Sequence, residues 1–599
     1  MALFTPSASP SITVKEIDLT GVVPSVTTST GAYVGDFSWG PVHQPTLVDN
    51  EATLVSTFGS PSTTNAVDFL SAANFLQYST SLYVSRTVDD TANTGALNAY
   101  DSDEVGVLVN KPLVKNADDF DIQNTSAGLK DAAKNHTFIA KYPGVAGNSL
   151  RVELCPAKDN DTTQFDGWAY ASYFDAAPDT SQYVADAGGA QDEVHVVVID
   201  ELGLLSGTIG AVLETFPYLS FATDGKTNDG TNNHVIDVIN NRSNYIWAIS
   251  LNKHDEDPAE NYNFTSTAAG ANSLGTDFEP TTFSIKGFSL GGGSNGPAIG
   301  QADILQGFDE FESKENIQVD FLIAPGMADA TSQKTVVADL VATAASLRKD
   351  CVVVTSPSRA SVIGLTAAAA TTAVKNEIEQ SGYSASSYLV VDNNYLKVYD
   401  KYNDQYVFIP ASPATAGLMA ATDAVAAPWF SPAGQRRGQY FGVTSLAYSA
   451  SKAQRDTLYK VGVNPIVNLP GQGIVLFGDK TRETRPSAFD RINVRRLFLA
   501  IERSIERAAR NVMFEFNDEF TRAEFVNIVE PFLREIQGRR GITDFRVVCD
   551  ETNNTAAVID RNEFVCSVFV KPARSINFIT LNFVAVRTGV DFSEVVGTV

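Results

Sequence analysis

Residues 493–512 read Asn-Val-Arg-Arg-Leu-Phe-Leu-Ala-Ile-Glu-Arg-Ser-Ile-Glu-Arg-Ala-Ala-Arg-Asn-Val. Within them Val494, Leu497, Ile501, Ile505, Ala508 and Val512 recur at intervals of three and four, one apolar stripe of an amphipathic helix. Arg503, Glu506, Arg507 and Arg510 fall elsewhere on its surface. Next, Thr521-x-x-Glu524 reads as a capping box that opens a second helix through Phe525, Ile528, Val529, Phe532 and Ile536. Pro531 is expected to kink or split that helix, and Gly538 stands where a left-handed residue ends one. Arg534, Arg539 and Arg540 cluster at its C-terminal end, where positive charge suits the helix dipole. Three strand-like runs follow, 544–550, 563–571 and 576–586, and then a short extended tail carrying Val590, Phe592 and Val595. A helix-and-strand module that ends in a loose apolar strand offers another chain something to pair with.

The opposite end of the chain has a matching feature. Ser11–Ile17 alternates Ile12 and Val14 against Thr13 and Lys15, closes on Ile17, and lies between Pro10 and Pro24. An isolated strand is unstable in water and needs a sheet edge. Two readings stand: the terminal strands pair within their own chain, or they add to the sheets of neighbouring subunits. Each main-chain bond nets about 0.5–1.5 kcal/mol, so one arm holds weakly and many arms in a lattice hold firmly. Gly21 and Pro24, and Gly589 at the other end, have backbone chemistry suited either to a hinge or to a plain loop end.

Between the ends, residues 32–37, 51–58, 66–77 and 81–86 read as strand, helix, helix, strand. The same grammar resumes at 319–323, 331–347, 351–355, 367–380 and 388–391, and 395–408 adds a hairpin around Tyr402-Asn403-Asp404. Such alternation indicates an α/β layer with a mostly parallel sheet. Residues 96–316 change character, rich in Asp, Asn, Ser, Thr and Gly with short strands at 138–141, 150–154, 193–199 and 282–288. They read as one or two β-rich domains inserted where chain ends lie close together on a surface. The expected fold is α+β and multidomain: an N-terminal arm (1–20) joining the C-terminal module, a discontinuous α/β domain (21–95 and 317–432), the β-rich insert (96–316), the C-terminal module (433–587) and a C-terminal arm (588–599).

Composition sets bounds on function. With 599 residues, 44% apolar and 19% charged, the chain resembles ordinary soluble proteins and is long for one core. No run approaches the apolar length of a membrane span, and Met1–Phe4 lacks the basic start of a signal peptide. Cys155, Cys351, Cys549 and Cys566 are scattered without a CxxC pair and read as reduced thiols of a protein made in a cytoplasm, although Cys549 and Cys566 sit where neighbouring strands could bring them together. Net charge is −26, unevenly spread: residues 433–599 hold 23 Lys and Arg against 19 Asp and Glu, and the rest hold 21 against 51. An acidic bulk argues against nucleic acid as the main partner. The basic C-terminal quarter is either a solvated helix face with pairs such as Glu506 and Arg510, or a face turned to an acidic partner.

Several motifs together resemble one family. Gly31-Ala32-Tyr33-Val34-Gly35, Gly40-Pro41 and Phe58-Gly59 are similar to the N-terminal signature of contractile tail-sheath proteins. Ala140-Lys141-Tyr142-Pro143-Gly144 with Gly147-Asn148 resembles the start of that family's inserted domains. Phe489–Leu497, Phe514-Glu515-Phe516-Asn517 and the closing 592–597 are similar to its C-terminal run, and the likeness is greatest to the large sheath proteins of contractile-tailed bacteriophages. The resemblance implies hexameric rings stacked in a helical homo-oligomer around a tail tube, joined by the terminal strands and bounded by baseplate and tail terminator proteins. It implies a C-terminal module lining the inside, with Arg534, Arg539 and Arg540 as tube-facing candidates, and inserts on the outside. It implies rigid-body contraction without nucleotide hydrolysis, no cofactor, no direct nucleic acid contact, no membrane insertion, and a place in the virion tail after synthesis in the host cytoplasm. A sheath of a related contractile injection system is the nearest alternative.

Enzyme signals are weak. Gly292-Gly293-Ser294-Asn295-Gly296 fits G-x-S-x-G, but all five histidines precede Ser294, the reverse of the order an α/β hydrolase uses. Gly478-Asp479-Lys480-Thr481 puts Asp where a phosphate loop needs glycine. Asp159, Asp161 and Asp166 form an acidic loop that could take a stray cation, and no histidine pair has zinc spacing. No catalytic, cofactor or metal residue is expected. A hydrolase, or a surface-binding protein whose inserts engage carbohydrate, is the rival from another class.

Overall fold

The structure, a computed structural model, describes residues 29–92, 94–101, 111–125, 128–130, 137–158, 163–250, 285–379 and 383–577, with backbone alone at 252–253 and 262–263. Both arms lie outside the described residues, and with them Ile12, Val14, Ile17, Gly21, Pro24, Gly589, Val590, Phe592 and Val595. The chain divides into a larger unit, Val26–Pro428 with Pro432–Arg495, and a smaller one, Met1–Ser25, Trp429–Ser431 and Arg496–Val599. The architecture is mixed helix and sheet throughout, as expected of an α+β chain.

In the larger unit the apolar runs of the first half and middle of the chain become one buried sheet. Its strands are β1 (Gly31–Gly35), β2 (Thr46–Val48), β3 (Leu82–Arg86), β4 (Phe321–Ile323), β5 (Val352–Thr355), β6 (Leu389–Asp392) and β7 (Val463–Asn464), in the order β2-β3-β1-β4-β5-β6-β7. All pair in parallel except β2, which runs antiparallel on the edge. Every residue of β1, β4, β5 and β6 is buried, which is why they read as unbroken apolar runs instead of alternating ones. Helices α1 (Glu51–Phe58), α2 (Ala66–Leu76), α3 (Ala330–Ala342), α4 (Ala367–Glu379) and α5 (Ser412–Val425) cover the layer. Val336, Leu340, Val374 and Ile378 pack from α3 and α4 into one core with Leu322, Val353 and Val391 of the sheet.

Two local outcomes differ from expectation. The helix read over 331–347 stops at Ala342 and continues as a π-helical turn, Thr343–Arg348, ended by Lys349 at φ +60°. The cause is Arg348, whose buried guanidinium donates to Phe311 O (2.6 Å) and Ile317 O (2.8 Å) and pairs with Asp350 (3.0 Å); the helix widens to deliver it. Helix α5 was not read from the sequence at all. It is buried on nearly every side, so it has no amphipathic period, and Gly417 lets the Tyr78 ring approach to where a Cβ would be 2.6 Å away.

The segment between β3 and β4 carries a second, all-antiparallel seven-stranded sheet, ordered 246–248, 138–140, 100–101, 286–291, 150–156, 193–200, 211–220. Arg86, the last residue of β3, is 1% exposed and ties this insert to the α/β layer. Its guanidinium donates to Gly40 O (3.0 Å) after β1 and to Pro143 O (2.8 Å) in the insert, just past strand 138–140. Gly144, at φ +135°, leaves no room for a Cβ beside Arg86, Asn295 and Ser38 O. The entry and exit of the insert are stitched together by the pairing of Leu97 with Ser294 and Ala96 with Asn295, and the turn after strand 138–140 joins the same exit: Asn148 Nδ2 donates to Gly293 O (3.0 Å), Gly293 N to Asn148 Oδ1 (2.7 Å), and Val145 N to Asn295 Oδ1 (2.8 Å).

The smaller unit is built on α6 (Ile492–Ala509), of which Arg496 onward belongs here, α7 (Glu519–Gly538), and the antiparallel pair β8 (Ile542–Val548) and β9 (Ser567–Pro572). The predicted stripe of α6 faces its core: Leu497 and Ile501 pack with Phe525, Val529, Leu533 and Ile536 of α7, and Ile505 and Val512 lie against them. Of the kink or split expected at Pro531, the split does not occur: α7 runs on through it. Asn527 and Pro531 both lie on its exposed face, where water can meet the carbonyl that proline leaves without a donor. Its N-cap is Asp518, whose Oδ1 accepts Thr521 N–H (2.8 Å), in place of the expected Thr521. Strands were expected at 544–550 and 563–571; the ladder instead pairs 542–548 with 567–572, with a bulge at Ile542/Asp544, while Val565 at the turn end bonds the Asn554 side chain.

Candidate assembly surfaces

The hairpin β8–β9 is the most open element of the smaller unit. Val547, Val568 and Val570 turn toward the helices. On the other face Arg546 sits across from Phe569, which is 60% exposed, and Lys571 pairs with Asp544 at 2.9 Å. Among the described residues each strand pairs on one side only, so two rows of main-chain donors and acceptors are open. The chain leaves β9 at Pro572, and Ile576, where a third strand was expected to start, is irregular and 81% exposed; the rest of that run lies outside the described residues.

The basic cluster sits at the C-terminal end of α7. Arg534 reaches Glu530 (3.8 Å) and Arg539 reaches Glu535 (3.6 Å), both exposed i,i+4 pairs of small energetic weight. Arg539 also lies over the Trp429 ring (5.1 Å), whose Nε1 donates to Arg539 O (3.1 Å). The left-handed residue after the helix is Arg540, at φ +67°, where Gly538 was expected to serve. Arg540 N donates to Gln537 O (3.0 Å) and Gly541 N to Ile536 O (2.9 Å), the two bonds of a Schellman motif. Glycine is needed one place later, because a Cβ on Gly541 would meet Ile536 at 2.6 Å and Trp429 at 3.1 Å. The loop between α6 and α7 and the first turn of α7 add a feature of which sequence reading quoted only Phe514 and Phe516, as a family motif: Met513, Phe514 and Phe516 in the loop and Phe520 in the helix are 58%, 100%, 84% and 76% exposed, with Phe514 at φ +72°. The signal was an apolar run in a loop between two helices that already had their cores.

The motifs weighed as enzymatic have other employment. Ser294 Oγ accepts Gly296 N–H (3.0 Å) within the clasp that closes the insert. His43 bonds Thr87, His195 bonds Ala176 O and His234 pairs with Asp237, while His136 and His254 lie outside the described residues. Asp479 pairs with Arg491 (2.9 Å), Lys480 Nζ donates to Tyr459 O (2.9 Å) and Thr481 Oγ1 to Phe489 O (2.7 Å), so the Gly478–Thr481 turn is knitted to Phe489–Arg491. Asp166 is described; Asp159 and Asp161 are not. Among the described residues no three metal-ligating side chains converge, and no helix is long and apolar enough to cross a membrane. Two buried carboxyls lie inside the α/β layer. Asp392 accepts from Ser356 Oγ (3.1 Å), Thr415 Oγ1 (3.2 Å) and Asn394 N–H (3.3 Å), and burial pushes it up to about 7. Asp68 accepts from Tyr33 Oη (2.8 Å) and Asp36 N–H (2.9 Å), and burial pushes it up to about 6.

Comparison with known proteins assigns the chain to a family. The tail sheath protein of Vibrio phage KVP40 is 33% identical over 98% of this chain and 99% of its own. The chain belongs to the phage tail sheath family. The tail sheath protein of Enterobacteria phage T4 is 32% identical over 98% of this chain and 99% of its own. Three family profiles match successive parts of this sheath chain: the tail sheath protein Gp18 domain III N-terminal region at 28–86, the phage tail sheath protein central domain at 298–482, and the phage tail sheath C-terminal domain at 484–585. The fold is shared with a sheath tail protein from Listeria innocua, at a TM-score of 0.51 and 13% identity over 92% of this chain and 96% of that one. The three profiles skip residues 87–297, which contain the antiparallel insert.

Proposed function

We propose that this sheath subunit polymerises by strand addition at β8–β9. The observation that carries the reading is the hairpin, both of whose edges are open among the described residues, in a chain whose two ends each hold an apolar strand pattern: Ile12, Val14 and Ile17 at one, Val590, Phe592 and Val595 at the other. Arms from neighbouring subunits extend each hairpin into a larger sheet, and Gly21, Pro24 and Gly589 bend between arm and body. Residues 1–20 and 588–599 then serve as arms, 96–316 as outer insert and 21–95 with 317–432 as α/β body; the expected module 433–587 is corrected to 496–587 as the inner module, because 433–495 fold with the larger unit and supply β7 to its sheet. Subunits stack as hexameric rings around a tail tube between baseplate and tail terminator, and contraction is a rigid-body rearrangement between two sets of subunit contacts, driven without nucleotide hydrolysis. The chain works as a structural part of the virion tail and not as an enzyme, after synthesis in the host cytoplasm.

Of the three tube-facing candidates, Arg540 is favoured. Arg534 and Arg539 have carboxylate neighbours within their own helix, whereas Arg540 is exposed in a backbone conformation that costs a non-glycine residue about 1 kcal/mol or more. Electron microscopy of the full-length chain beside versions lacking 1–20 or 588–599 tests the assembly. Tubes from the full chain, alone or with purified tail tube, and discrete folded particles from both truncations are expected. Tubes from either truncation would remove strand addition as the joint. Arg540→Glu should assemble alone and lose tube binding; unchanged tube binding would remove it from that face.

A further inference from the structure

The foot of the β8–β9 hairpin holds a chemical site that the assembly reading does not use. The last pair of the ladder is Val548 with Ser567. Cys549 and Cys566 follow it directly, one on each strand, so they face each other across the ladder's next rung. Facing residues of antiparallel strands have Cα atoms about 4.5–5.5 Å apart, inside the roughly 4.4–6.8 Å that a disulfide spans. Both are free thiols close enough to raise or lower each other's hold on the proton, and Cys549 Sγ donates to Val565 O at 3.7 Å. The loop between them is already closed: Asn554 Nδ2 donates to Val565 O (2.7 Å) and Val565 N to Asn554 Oδ1 (2.8 Å). The other two cysteines are buried in separate cores, Cys155 beside Trp168 in the insert and Cys351 in the α/β layer.

We propose that Cys549 and Cys566 form an oxidative cross-linking site, joining in an intrachain disulfide that staples the hairpin when the protein meets a disulfide-bearing oxidant. The two thiols play different parts. Burial raises the Cys549 thiol, which donates to Val565 O, and the Arg522 charge offsets part of that rise. Cys549 is 8% exposed and Cys566 is half-buried, so a small reagent reaches the pair from the Cys566 side. A thiolate of the pair attacks one sulfur of a small-molecule disulfide such as oxidised glutathione, and the reagent's S–S bond breaks to release one thiolate, which takes up a proton. The second cysteine loses its proton and attacks the mixed disulfide, releasing the second reagent thiol. Two S–H bonds are lost from the protein, one S–S bond forms, and the reagent is reduced to two thiols. Burial raises both cysteines, Cys566 up to about 12, so exchange is slow and the pair stays reduced in a thiol-rich compartment.

The test uses the folded full-length chain. It is incubated with excess oxidised glutathione at mildly alkaline pH, alkylated, digested without reduction and analysed by mass spectrometry. The expected product is a Cys549–Cys566 cross-linked peptide lighter by two hydrogens, with Cys155 and Cys351 still alkylated after unfolding. Backbone hydrogen exchange across 542–572 should slow about tenfold or more, because the cross-link restricts local opening. Free thiols at both positions, arrest at the glutathione adduct, or links between chains would overturn the site. Cys566→Ser with an unchanged circular dichroism spectrum should abolish the intrachain link; a link that survives the substitution would assign the chemistry to another pair.

Discussion

Arg86 shows how much one side chain can decide. Its guanidinium is withdrawn from water, which lowers its hold on the proton to about 10, and it spends that charge on two carbonyls from separate layers with Asp36 nearby. Arg86→Met keeps the bulk and removes the donors, stranding Gly40 O and Pro143 O. It should destabilise the larger unit by about 3 kcal/mol, seen as an earlier denaturant midpoint for residues 29–495 in pulse-labelling hydrogen exchange. A midpoint within about 0.5 kcal/mol of the parent would mean water replaces the arginine. In the sequence, Arg86 was only the last residue of a strand. Nothing near it in the chain names its partners, which lie 46 and 57 positions away. The glycines at 31, 35, 40, 144 and 147 were legible as a family pattern, yet their reason, crowding around such junctions, became visible only in three dimensions.

At the scale of elements, local chemistry was readable wherever the local signal was also the deciding one. Helix α1 was read at its observed bounds, because Asn50 caps it by accepting Thr53 N–H (2.9 Å) and its period is regular. The strand Ala211–Ser220 was missed, since Pro217 argues against a strand; it is tolerated at the edge of the insert's sheet, beside a register shift. The α7 proline is the reverse case, a helix breaker that does not break the helix. Pro531→Ala restores a donor to Asn527 O and should stabilise α7 by about 1–3 kcal/mol, slowing amide exchange over 525–536. Unchanged exchange would mean the helix pays no penalty for its proline. Of the candidate surfaces, the basic cluster was visible as charge, whereas the left-handed Arg540 and the exposed Phe514 depend on backbone angles that no composition encodes.

At the scale of the molecule, two units with separate cores should respond differently to acid. Asp68 and Asp392 lie in the larger unit, and their folded values of about 6 and about 7 stand above the ordinary 3.8. A carboxyl that binds its proton more tightly when folded contributes stability below the unfolded value, and that contribution is lost as pH rises through the folded one. The larger unit should therefore lose stability between about pH 4 and about pH 7 from these groups. Asp392→Asn, which keeps the shape and cannot ionise, should raise its melting temperature at mildly alkaline pH and flatten the slope. A slope as steep as the parent's would place the effect elsewhere.

The pairing of Ala96–Leu97 with Ser294–Asn295, together with the bonds from Val145–Asn148 to the same exit, means that the antiparallel insert leaves and re-enters the body through one gate. Whatever is threaded between those two points need only bring its own ends together, since the surfaces proposed for assembly sit in other parts of the sequence. The molecule is thereby a display scaffold: a foreign domain grafted at that gate would be carried in as many copies as there are subunits in the filament, at a spacing fixed by the polymer.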